Sequence, residues 1–137
     1  MLRVGLTGGM GAGKSAVASL LAQRGAVIID LDLLGRQALE PGQPGLAEVV
    51  ELFGTDVLNE DGSLDRAAMA EKVFSDPESR GKIEKITWAA MGRGGREIAE
   101  RAQQEQGDQA ILVTDAPILF ETHMERNLIS VIVVEAP

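Results

Sequence analysis

"GLTGGMGAGKSAVASLL" (residues 5–21) crowds Gly8, Gly9, Gly11 and Gly13 together, follows them at once with Lys14 and Ser15, and then resumes an ordinary apolar pattern. Glycine loses more conformational freedom on folding than any other residue, so such a run needs a physical reason. Gly8, Gly13, Lys14 and Ser15 fit G-x-x-x-x-G-K-[ST] without a gap. In that arrangement backbone N–H groups wrap a triphosphate, and side chains at the glycine positions would block the approach or forbid the positive φ that the loop needs. The residues of the cradle are therefore Gly8, Gly9, Met10, Gly11, Ala12, Gly13, Lys14, Ser15 and Ala16. A helix starting at Lys14 would aim its free N–H groups at the phosphates. Lys14 would reach the β and γ oxygens of ATP, and the Ser15 hydroxyl would ligate Mg²⁺.

The flanks supply the context this motif requires. "LRVGLT" (2–7) reads as a buried strand, and a helix follows from about Lys14 to Arg24, with Val17, Leu20 and Leu21 expected to face the core and Gly25 to cap the end. "AVIID" (26–30) is a second buried strand, which completes a right-handed βαβ unit with parallel strands. The spacing predicts helices over 33–40, 44–53, 65–74 and 77–104, broken by "EPGQPG", by "GTDVLNEDGS", by the helix-starting "DP" at 76–77 and by glycines 92, 94 and 95. The apolar runs at 110–117 and 128–137 are two further strands. The expected fold class is α/β: a parallel sheet flanked by helices, with a large helical insertion between its second and third strands.

A second fingerprint overlaps the first. Gly11, Gly13 and Ala16 satisfy G-x-G-x-x-[GA], and Asp30 stands at a strand end where a dinucleotide fold places its ribose-binding acid. In that fold the first glycine closes the strand, whereas here Gly8, Gly9 and Met10 intervene, and the Lys-Ser pair is left without a purpose. A switch GTPase is disfavoured too, because the chain has neither N-K-x-D nor a D-x-x-G following a strand.

Three acids end strands on the side of the sheet where open α/β folds bind ligands. Asp32, in "IIDLD", is placed to accept the proton of a hydroxyl attacking a γ-phosphate, with helix capping near Leu33 as the alternative for either Asp30 or Asp32. Asp115, in "ILVTD", fits an acid that holds Mg²⁺ directly or through water. A calcium loop aligned on Gly62 of "NEDGS" (59–63) would need an acid at Val57 and a Glu at Ala68, so the stretch reads as a turn, and His123, the sole histidine, reads as an exposed loop residue. Trp88 and Phe120 are candidates for stacking on a base, with core packing the alternative.

Composition sets the outer limits. The 137 residues carry 13 Lys and Arg against 21 Asp and Glu, a net charge of −8, which argues against broad electrostatic binding of nucleic acid or an anionic membrane. Any phosphate must then be held locally. The chain has no cysteine, which removes disulfides, thiolate metal sites and thiol nucleophiles. With no secretory signal or long apolar span, the expected location is cytoplasmic.

Taken together, "VGLTGGMGAGKSAVASLLAQRGAVIIDLD", "DGSLDRAAMAEKVFSDPESRGKIEKI" and "DAPILFE" resemble the dephospho-CoA kinase family over nearly the whole chain. The resemblance implies transfer of the γ-phosphate of ATP to the 3′-hydroxyl of dephospho-CoA, the last step of coenzyme A biosynthesis. It implies a P-loop kinase fold with a helical substrate-binding insertion over about 32–106, catalytic roles for Asp32 and Lys14, substrate contacts at Asp32, Arg36, Arg66, Phe120 and Glu121, and an Mg²⁺ contact at Ser15 beside the one read at Asp115. The chain departs from the family's pattern at Ala16, where Thr is usual, and at Trp88 and Ala89, where His-Pro is usual. The family also continues with a fifth strand, an adenine-side loop and a lid helix bearing arginines. The chain is thus expected to be a P-loop nucleotide kinase domain (1–137) truncated at its carboxyl end, with slow turnover or none and with self-association through an exposed sheet edge. A nucleotide-binding module without turnover and another small-molecule P-loop kinase are the alternatives.

Overall fold

The computed structural model describes residues 1–8, 12–116 and 130–135. Its sheet has four parallel strands: β1 (Leu2–Gly8), β2 (Val27–Asp30), β3 (Ile111–Asp115) and β4 (Ser130–Val134), in the order β2-β3-β1-β4. The chain leaves β1 and returns as β2 with β3 seated between them, so β1 and β3 flank a point where the direction of winding reverses. Open α/β sheets bind ligands at the carboxyl end of such a point. Val4 and Leu6 of β1 are buried together with Gly5 and Thr7, as expected of a strand covered on both faces.

The chain divides into two compact units, residues 1–32 with 95–137, and residues 33–94. In the first, α1 (Lys14–Gln23) packs on the sheet through Val17, Ala18 and Leu21, around a core of Leu6, Ala18 and Val113 joined by Ala26, Ile28 and Val134. Leu20 was expected to face that core but is 56% exposed. The burying stripe runs through residues 17, 18 and 21, with Ala18 the buried one, which leaves Leu20 on its edge. The helix ends as anticipated at Gly25, which has φ +99°. The Ala26 N–H donates to the Leu21 carbonyl at 3.1 Å and the Gly25 N–H to that of Ala22 at 3.0 Å, the paired bonds of a Schellman cap.

In the second unit Leu39, Val49 and Val57 form a core joined by Phe53, Leu64, Met69, Ile83 and Ile86. Its helices start where their caps say they should. α3 (Pro44–Phe53) has proline at its first position, where no N–H is needed. The Asp65 carboxylate accepts from the Ala68 N–H at 3.1 Å and opens α4 (Arg66–Phe74). The Asp76 carboxylate accepts from the Glu78 N–H at 3.1 Å and from the Ser79 hydroxyl at 2.7 Å at the head of α5 (Pro77–Gln106). Those bonds hold the Asp76 carboxyl below its ordinary pKa, the Ser79 hydroxyl contributing most. Residues 59–63 form a tight turn in which the Asp61 carboxylate accepts from the Ser63 hydroxyl at 2.5 Å and from its N–H at 2.9 Å, which lowers the Asp61 pKa as well.

Two sequence expectations need correcting. The helix following β2, α2 (Leu31–Gln37), begins at Leu31 rather than at Leu33. Glycines 92, 94 and 95 do not break α5, which runs unbroken through them. A Cβ on Gly94 would sit 2.8 Å from Leu34 Cδ2, and one on Gly95 would sit 3.6 Å from Ile29 Cγ2. Close packing against the Leu34 side chain accounts for Gly94, whereas a Cβ on Gly95 would make an ordinary contact with Ile29 and nothing in the structure requires glycine there.

Candidate active site

The site is built from the carboxyl ends of neighbouring strands. Register puts Leu6 of β1 opposite Asp115 of β3, and Asp115 opposite Asp30 of β2. The chain then turns back from β1 into α1, and Gly13 stands at the helix N-cap with φ +93° and ψ 14°. This is left-handed backbone, where a Cβ is unfavourable by about 1–2 kcal/mol. Gly8 is required for a different reason. Its Cβ would lie 2.6 Å from the Val134 carbonyl oxygen, so the last residue of β1 is glycine because β4 passes so close.

Lys14, the first residue of α1, donates from its Nζ to Asp115 Oδ1 at 2.5 Å, with 17% and 12% of the two side chains exposed. The motif lysine and the acid of the third strand, read separately from the sequence, therefore meet in one ion pair. Their sequence separation of 101 residues is closed by the β1–β3 register. Ser15 and Ala16 follow on the exposed first turn of α1, and Ala12 is half-buried. Gly9, Met10 and Gly11 lie outside the described residues.

Asp32 is exposed and is the second residue of α2. Because α2 starts at Leu31, Asp32 is inside its first turn and is not the residue before it, so the capping alternative falls to Asp30 alone. In that turn a carboxylate also gains from the helix dipole. Arg36 lies in the last turn of the same helix, and Arg66 is the first residue of α4; both are exposed and belong to the 33–94 unit. Phe120, Glu121 and His123 lie outside the described residues. Trp88 is 46% exposed on α5, so it is not a core aromatic.

Sequence reasoning passed over one feature of the second unit. Lys82, Lys85, Ile86, Ala89 and Arg93 recur at helical spacing along α5 and line an open groove with Glu48, Glu51 and Leu52 of α3. The i, i+3, i+4, i+7, i+11 pattern was there to be read.

A magnesium ion in phosphoryl transfer keeps several waters and takes few protein ligands beside the phosphates. The exposed Ser15 hydroxyl and the Asp115 carboxylate fit that modest demand. Among the described residues no three His, Cys, Asp or Glu side chains converge as an all-protein metal cage. No helix among them is long and apolar enough to cross a membrane.

Comparison with known proteins agrees with this geometry. The family model for dephospho-CoA kinase matches residues 2–137. A dephospho-CoA kinase of Frankia casuarinae is 47% identical over 137 residues, covering 100% of this chain and 58% of its own length. One of Streptomyces avermitilis is 46% identical over 136 residues, covering 99% and 64%. This chain thus spans about three-fifths of the length of these relatives. Among solved structures, a Thermus thermophilus protein superposes with a TM-score of 0.82 at 34% identity, over 99% of this chain and 66% of that one. The dephospho-CoA kinase from Campylobacter jejuni shares the fold with a TM-score of 0.69 at 22% identity, over 96% and 64%. A strand-loop-helix whose lysine meets the acid of the third strand, on a sheet ordered β2-β3-β1-β4, accords with the family match along its whole extent: the chain belongs to the dephospho-CoA kinase family.

Proposed function

We propose that this chain carries the phosphate-binding and proton-accepting part of a dephospho-CoA kinase and transfers the γ-phosphoryl group of ATP to the 3′-hydroxyl of dephospho-CoA. The observation that carries the reading is the Lys14–Asp115 pair at the carboxyl end of β3, at the head of a helix that follows glycine in a left-handed conformation. In this reading the loop N–H groups and Lys14 hold the β and γ oxygens, and Ser15 and Asp115 hold Mg²⁺, which when bound neutralises phosphate charge. Arg36 and Arg66 bind anionic groups of the acceptor, with Phe120 and Glu121 beside it.

Asp32 is the base. The 3′-oxygen attacks the γ-phosphorus as the bond from that phosphorus to the β–γ bridging oxygen breaks. The hydroxyl proton passes to the Asp32 carboxylate, and ADP leaves with the bridging-oxygen electron pair. Positioning and charge stabilisation supply most of the acceleration in such transfers, and a general base contributes about 10²–10⁴-fold. The enzyme would work in the cytoplasm.

The β4 edge, unpaired among the described residues, carries Ile132 and Val133 at 39% and 51% exposure. Such an edge favours pairing with another chain, and in this reading the 137-residue chain self-associates there.

The acceptor is the discriminating test. ADP release should require dephospho-CoA and should not occur with CoA, whose 3′-oxygen already bears phosphate. Equal release with both compounds would exclude the 3′-hydroxyl as the nucleophile.

A further inference from the structure

Lys14 is asked to do two things at once. It donates to Asp115 Oδ1 at 2.5 Å, and both side chains are largely shielded from water, at 17% and 12% exposure. A charge-assisted bond in such a place is stronger than at an open surface. A phosphate oxygen that takes the Lys14 ammonium must compete with Asp115, and the polyphosphate would then lie near an uncompensated carboxylate.

We infer that Asp115 is a positioning residue that retains Lys14 against metal-free nucleotide and yields it to the metal–nucleotide complex, so that this one carboxylate couples Mg²⁺ binding to nucleotide binding. The inference rests on the phosphate-cradle reading given above. Asp115 exchanges one cation for another: as its charge is compensated by the metal, Lys14 is released to the β and γ oxygens. Metal-free nucleotide brings no such compensation and has to break the ion pair unaided. By linkage, Mg²⁺ must raise nucleotide affinity through Asp115 by the same factor as nucleotide raises Mg²⁺ affinity, a factor typically of about 5–150.

The test is calorimetric titration of the 137-residue chain with ADP, once in EDTA and once in excess MgCl₂, for the wild type, Asp115→Asn, Lys14→Met and the double variant. Asp115→Asn should bind metal-free ADP about 5-fold or more tighter than the wild type, with the gain from MgCl₂ correspondingly reduced. Asp115→Ser, smaller and also uncharged, should do the same and stands in if the amide variant does not fold. In the Lys14→Met background the Asp115 substitution should no longer tighten metal-free binding, because the competitor for the ammonium has lost its object. Metal-free affinity that stays level or falls in Asp115→Asn overturns the inference. So does equal tightening in the Lys14→Met background, which would make Asp115 a source of plain repulsion. Unchanged Mg–ADP affinity in Lys14→Met alone is a different failure: it would reject the phosphate cradle itself.

Discussion

Gly8 and Val134 face each other as the last paired residues of β1 and β4, and a methyl group on Gly8 would meet the Val134 carbonyl oxygen at 2.6 Å. The first glycine of the phosphate loop is thus a requirement of the sheet. Gly8→Ala should lower stability toward urea by about 1–3 kcal/mol, the usual cost of overpacking. Gly13→Ala has open space around its Cβ, and its cost of about 1–2 kcal/mol is conformational. The two are told apart by crystallography or NMR: Gly8→Ala should shift β4, and Gly13→Ala should not.

Lys14→Ala should abolish ATP binding or weaken it severely, since it removes the one side-chain cation of the 8–16 loop. It also leaves the Asp115 carboxylate, 12% exposed, without its partner. Calorimetry in the presence of Mg²⁺ is the check, and unchanged affinity would refute the assignment of the loop.

The head of α5 should respond to acid. Hydrogen bonds from Ser79 and from the Glu78 backbone lower the Asp76 pKa in the folded chain. A depressed folded pKa gives stabilisation that is present above the ordinary aspartate value, about 4, and is lost as pH falls through the lowered one. Protection of the amides in the first turn of α5, relative to their intrinsic exchange rates, should therefore fall selectively below about pH 4. Ser79→Ala should shrink that pH-dependent loss, because the folded pKa then lies closer to the ordinary one.

Val133 is 51% exposed on β4, the edge of the described sheet. If the 137-residue chain self-associates there, Val133→Lys should return it to a monomer by light scattering, because charge on an edge strand opposes pairing. A wild-type chain that scatters as a stable monomer would remove this part of the proposal.

The first strand, the helix restart at Lys14 and the other strands among the described residues were legible because local signals agreed: apolar runs and the glycines between them all point one way. Asp115 was legible as a strand-ending acid, but not as the partner of Lys14. That contact depends on β3 inserting between β1 and β2, a long-range choice that no local pattern records. Glycines 94 and 95 misled for a related reason. In isolation they weaken a helix, yet here Gly94 makes room for Leu34 and the helix runs on through both. Leu20 shows the limit of periodicity, since residues 17, 20 and 21 and residues 17, 18 and 21 are both acceptable stripes and only the shape of the sheet's covering decides.

The central claim, that Asp32 accepts the proton of an acceptor hydroxyl during phosphoryl transfer, is tested most directly by a single-turnover experiment with the chain in excess over γ-labelled ATP. Excess protein makes even slow chemistry visible. With dephospho-CoA present, label should appear on the 3′-oxygen, and Asp32→Asn should slow its appearance by about 10²-fold or more while ATP affinity stays nearly intact. Label transfer at the wild-type rate in Asp32→Asn, accompanied only by lower thermal stability, would contradict the claim and reduce Asp32 to a residue that stabilises the first turn of α2.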